Sequence, residues 1–193
     1  RAAYQASFPL PQEILKHHNN NLSDAQLIDI IQRSEGNYAE LFSFLDNHVN
    51  GDENIPLDLY LYSFSDKDLR DISAEILENH IPNVNSRNAR YTESVYAKGI
   101  FPARISNEMV RPWRKELKEE FGKISPSFLD EHLSAETIRL WTLENISVDD
   151  TGNYYNCPIS PMGVLRLRHS DAHSRDIFFV AACRALDIPA YLD

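Results

Sequence analysis

The feature that most constrains this chain is a run of seven apolar residues, Ile177 to Cys183, reading "IFFVAAC". An α-helix apolar on every side needs burial all round, not a one-sided seat on a surface. The run follows a polar cluster, "HSDAHSRD", in which Asp171 or Ser174 can cap the helix start. Arg184 in the last turn suits the negative end of the helix dipole. Ile188-Pro189 then stops the helix and begins an extended segment. A helix buried in this way is usually the central element of an α/β or α+β core.

The residues before it read as short helices separated by polar turns. Ser23 caps a helix carrying Leu27, Ile30 and Ile31 that ends near Gly36. Tyr38, Leu41, Leu45 and Val49 share a face of the next helix, which "NGDEN" stops. Ser65 and Asp68 approximate a capping box before a helix with Leu69, Ile72 and Ile76. "NVNSRNAR" is a polar break, and Tyr91 to Ile100 fits helix or strand. Ile105 to Phe121 reads as one amphipathic helix interrupted or restarted at Pro112, with "RKELKEE" as its solvated face. Pro126 opens a further unit, and Ser134 caps a helix bearing Ile138, Trp141 and Leu143 or Ile146. "SVDDTGNYYNCPISP" is a turn-rich connection. The expected organisation is a mainly helical region over 1–135 and an α+β core beginning at 136.

Charge and motifs exclude several functions. With 29 acidic and 19 basic residues the formal net charge is −10, which repels phosphate backbones and anionic membrane surfaces. The longest apolar run is too short to span a bilayer. The first residues lack an apolar signal region, and a chain beginning at Arg1 is expected to be a mature or excised fragment. Cys157 and Cys183 are too few for a disulfide framework, and Cys183 reads as a small core residue. Asp150-Thr151-Gly152 is a single copy of a triplet that acid proteolysis needs twice, so it reads as a turn. His17-His18 and the pair His169 and His173 lack further ligands at zinc spacing, so no metal or other cofactor is expected. Phosphate-binding and dinucleotide loops and nucleophile elbows are absent.

Ser160-Pro161, Val164-Leu165, Asp171, the apolar helix, Arg184-Ala185 and Ile188-Pro189-Ala190 fall without gaps on a known pattern. In these last 35 or so residues the chain resembles the transglutaminase-like superfamily. Its wording in "FPARISNEMVRPWR" and "HSRDIFFVAACR" is similar to transglutaminase-domain proteins of Bacteroidetes-type bacteria. The resemblance implies a papain-like fold, with a nucleophilic Cys at the N-terminus of a buried helix and His and Asp on strands that follow. It also implies a secreted or periplasmic setting.

The position matching the nucleophile is Ala172, which has no reactive atom. Further departures are Ser170 and Asp187 where the family has Gly, and Tyr191 where it has Arg. A two-residue shift would make Ser174 the nucleophile, but it rotates the buried face by about 200°. The His and Asp are expected beyond Asp193, in a longer chain or a partner. Three readings follow. One is a catalytically degenerate domain binding a peptide, protein or glycan-linked ligand, with Asp171, His173 and Arg175 near it. The others are a Cys-His-Asp amide hydrolase or transglutaminase whose nucleophile has been replaced, and a structural or assembly module.

Overall fold

A computed structural model of the chain describes residues 8–17, 22–48, 57–81, 91–130 and 132–192. It is mostly helical, and among the described residues the only sheet is a parallel pair, β1 (Ser147–Val148) and β2 (His169–Ser170). Two compact units, residues 1–78 and 79–193, divide within the Ala74–His80 helix. The sequence reading places its division at 135/136.

In the first unit the Asp24–Arg33 helix starts as its sequence dictates. Ser23 is the N-cap and forms a capping box with Gln26, and Leu27, Ile30 and Ile31 are buried. Glu35 and Gly36 turn the chain with positive φ, and Tyr38–Asn47 buries Leu41, Phe44 and Leu45. Val49, "NGDEN" and "NVNSRNAR" lie outside the described residues. The helix expected through Leu69, Ile72 and Ile76 is two helices, Asp66–Asp71 and Ala74–His80, broken at the extended Ile72. The break is held from outside. Asn37 Nδ2 donates to the Leu69 and Ile72 carbonyls at 2.9 and 2.6 Å, and Glu40 Oε2 accepts the Ala74 N–H at 2.8 Å. Local periodicity is blind to those partners.

The second unit is built round the Ala172–Ala185 helix. Ile177, Phe178 and Val180 to Ala185 are buried, and only Phe179 within the apolar run is partly exposed. The Arg114–Ile124 and Ala135–Asn145 helices supply Leu117, Phe121 and Ile138 to the same core. Phe121, Trp141 and Phe178 form a ring cluster with centroids 4.9 to 6.5 Å apart. Tyr91–Ile100 resolves to a helix, Glu93–Gly99. Ile146 rather than Leu143 enters the core. Cys183 is buried, and burial pushes its thiol up to about 12, so it is inert.

The helix expected from Ile105 exists only as Arg114–Ile124; residues 101–113 are irregular. Polar side chains replace the missing helical bonds. The Glu108 carboxylate accepts the Ile105 and Ser106 N–H groups at 2.7 and 2.9 Å, and Arg104 donates to the Glu108 carbonyl. Asn79 Oδ1 accepts the Trp113 and Arg114 N–H groups at 3.1 and 3.0 Å, capping that helix from a distant point in sequence.

Two guanidiniums tie this loop to the helix end. Arg184 donates to the carbonyls of Ala190, Pro102 and Arg104 at 2.8, 2.8 and 3.2 Å. Arg114 donates to the Arg184 carbonyl at 2.5 Å and to that of Ile100. Both are buried, and Arg184 stands in the last turn of its helix, where the sequence places it. Burial, with Arg114 nearby, lowers its proton affinity, yet the group stays charged at neutral pH.

The helix ends in a Schellman motif. The Ile188 N–H reaches the Cys183 carbonyl at 2.9 Å, and Asp187 takes the left-handed conformation at φ 58°. The chain then runs extended against Gly99, whose carbonyl accepts the Ala190 N–H at 3.0 Å.

Two predictions follow from this packing. A Cβ on Gly99 would lie 2.9 Å from Pro189 Cβ, and the rigid ring cannot yield. The overpacking cost of about 1–3 kcal/mol outweighs the helix gain of about 1 kcal/mol. Gly99→Ala therefore lowers the denaturant midpoint, whereas ordinary helix glycines gain from the change. His80 is buried against Trp113 with Nδ1 unpartnered; burial, then the Arg114 charge, holds it neutral well below its ordinary 6.5. The unfolded chain protonates near 6.5 and the folded chain does not, so this contribution is whole above 6.5 and lost as pH falls below it. The loss at one pH unit below is about 1.4 kcal/mol. Urea titrations between pH 7.5 and 5.5 should show this slope, reduced in His80→Gln.

Candidate functional site

The N-terminus of the Ala172–Ala185 helix is assembled from three stretches. Asp171 is the N-cap; its Oδ1 accepts the Ser174 N–H at 2.9 Å. Its Oδ2 accepts the Ser174 hydroxyl at 2.6 Å and Asn153 Nδ2 at 2.8 Å. Ala172 opens the helix, and its N–H donates to Asp150 Oδ1 at 2.7 Å. Two carboxylates from the chain itself therefore occupy the positive end of the helix, where an external anion would otherwise bind. Burial opposes ionisation of Asp171, but the bonds from Ser174 and Asn153 outweigh it and hold the carboxyl below its usual range.

The turn carrying Asp150 is fixed by its own side chains. Asp149 Oδ1 accepts the Thr151 N–H and hydroxyl at 2.9 and 2.6 Å, and these bonds hold its carboxyl below the ordinary value. Asn153 brackets the next turn: Oδ1 accepts the Cys157 N–H at 3.1 Å, and Nδ2 donates to the Cys157 carbonyl at 3.0 Å. Asn156 inside it takes a positive φ of 49°. β1 and β2 pair Ser147 with His169 and Val148 with Ser170, which brings the turn beside the helix cap.

A cleft of about 160 Å³ opens there, lined by Asp149, Gly152, Asn153, Ile159, His169, Ser170 and Asp171. The Ser170 hydroxyl is buried and unpartnered. His169 Nδ1 lies 2.9 Å from Ser147 Oγ.

The expected site residues separate in the structure. Ser174 is fully buried; its hydroxyl donates to Asp171 and accepts the Ile159 N–H at 2.9 Å, so it braces the cap. His173 is exposed, 3.3 Å from Ser106 Oγ and 3.4 Å from Asn107 Oδ1. Arg175 lines a different hollow of about 270 Å³ with Arg139, Thr142, Leu143, Asp176 and Phe179. Only Asp171 borders the cleft at the cap. Asp149, Asn153 and His169 border it too; the sequence signal for Asp149 and Asn153 is the density of turn formers in "DDTGNYYN", and that for His169 is its closeness to His173. Asp150, read as a plain turn residue, also holds the helix start.

Among the described residues no group of three or more His, Cys, Asp or Glu could hold a metal ion. No described helix is long and apolar enough to cross a membrane. No family model, curated protein or solved structure matches the chain.

The cap makes a direct prediction. Replacing Asp171 with Ala removes acceptors for two Ser174 donors and one Asn153 donor, at a cost of about 1–2 kcal/mol in unfolding free energy. Asp176→Ala, at an exposed position in the same turn, should change it by less than about 0.5 kcal/mol.

Proposed function

We propose that the chain carries a transglutaminase-like helix in non-catalytic form, and that the cleft at its N-terminus binds a peptide or glycan-linked ligand without cleaving it. One observation carries this reading: Ala172 stands at the first helical position, with its N–H taken by the Asp150 carboxylate. A nucleophile placed here would gain from the helix dipole and from a free N–H able to stabilise a developing oxyanion. Alanine supplies no nucleophile, and Asp150 removes the free donor while adding a negative charge that opposes a thiolate. The rest of the site is ordered polar structure suited to holding a ligand: Asp149, Asn153, His169 and Asp171 round a small cleft.

Two measurements on the whole chain test it. Incubation with a glutamine-containing peptide and a primary amine should release no ammonia, with or without iodoacetamide. Amide chemical shifts of Gly152, Asn153, Asp171 and Ala172 should move on adding members of a peptide and soluble-oligosaccharide panel. Iodoacetamide-sensitive ammonia release, or a panel that moves none of these amides, overturns the reading.

A further inference from the structure

The cleft is flanked in sequence by two adjacent tyrosines that the rest of the unit does not cover. Tyr154 and Tyr155 are 85% and 82% exposed, with ring centroids 5.1 Å apart and planes at 87°. Exposed aromatic rings forgo the apolar burial that normally places them inside, and paired on a surface they mark a contact site. Their position is not that of a loose loop tip. Asn153 clamps both ends of the turn, the Asn156 N–H returns to the Asn153 carbonyl at 3.0 Å, and Asn153 is bonded to Asp171. The turn is thus anchored to the helix cap beside the cleft.

The cleft, which the turn joins through Asn153, is lined mostly by polar residues and retains hydrogen-bonding capacity. Thr151 bonds to Asp149 Oδ1 and the Gly152 N–H also donates to this carboxylate, whose remaining lone pairs can accept from a ligand. His169 uses Nδ1 towards Ser147, leaving Nε2. The Ser170 hydroxyl, buried and without a partner, can both donate and accept. Ile159 is the one large apolar residue in the lining.

We infer that the Tyr154–Tyr155 turn and the adjoining cleft form a sugar-binding subsite for a neutral or amine-bearing pyranose of a glycan. A pyranose has an apolar face of C–H groups that stacks on an aromatic ring, and a rim of hydroxyls needing acceptors and donors. The tyrosines offer the first, and Asp149, His169 and Ser170 the second. The carboxylates Asp149, Asp150 and Asp171 disfavour uronic, sialylated or sulfated sugars. An extended peptide would instead need a free strand edge or apolar pockets, and the lining has one apolar residue. The inference rests on the non-catalytic reading above and names the ligand class of that site.

A glycan array carrying neutral, amino and acidic sugars, probed with the whole chain, is the test. Neutral or amino glycans should be retained and acidic ones not. Tyr154→Ala and Tyr155→Ala should each weaken the best glycan at least tenfold with the melting temperature unchanged, and Asp149→Asn should weaken it too. No retention on the array, retention of acidic glycans alone, or retention indifferent to both tyrosine changes overturns the sugar assignment. If the array is empty while a peptide moves the Asn153 and Asp171 amides, the sugar class falls and the non-catalytic binding reading stands. Iodoacetamide-sensitive turnover removes that reading itself.

Discussion

The second unit depends on how two buried guanidiniums are satisfied. Arg114 and Arg184 donate to main-chain carbonyls of residues 100, 102, 104, 184 and 190. An irregular segment and the end of a helix are thereby fixed to each other through groups that cannot return to water. Truncating either side chain would leave several carbonyls unpaired and the other cation in a dry site, the situation in which losses reach about 3–5 kcal/mol. The placement of the two arginines lets a long loop be ordered without regular backbone bonding.

The same logic recurs at the other end of the Ala172–Ala185 helix. Helix N-termini leave donors free, and here Asp171 and Asp150 take them. A start poised for catalysis would keep such donors open for a charge that forms only during reaction. Filling them with the protein's own carboxylates stabilises the resting fold and spends the electrostatic potential of the site. The cap is therefore a structural asset where it stands.

Much of this was legible in the residues. Ser23, Ser65, Ser134 and Asp171 are N-caps where their types and spacing place them. Asp187 adopts the left-handed helix-ending conformation at the position where the resembling pattern has Gly. The burial of Ile177 to Cys183 follows from its lack of a polar face. Misreadings share one cause. Ile72 breaks a helix, and residues 105–113 form none, because Asn37, Glu40, Asn79 and Glu108 satisfy the backbone from elsewhere. The grouping of Asp149, Asn153 and His169 needed the β1–β2 pairing, a contact of two residues per strand and too short for a periodic signal.

Both tryptophans of the chain, Trp113 and Trp141, belong to the unit spanning 79–193. Trp113 is buried edge-on to His80 with its indole N–H on the Ala103 carbonyl, and Trp141 sits between Phe121, Phe178 and the Arg168 guanidinium. Indole emission therefore reports on that unit alone, whereas tyrosine emission and far-ultraviolet dichroism report on both, since Tyr91, Tyr96, Tyr154, Tyr155 and Tyr191 lie in 79–193. One half thus carries a private optical channel, so that in a single unlabelled sample a dichroism change without an indole change marks melting of the other.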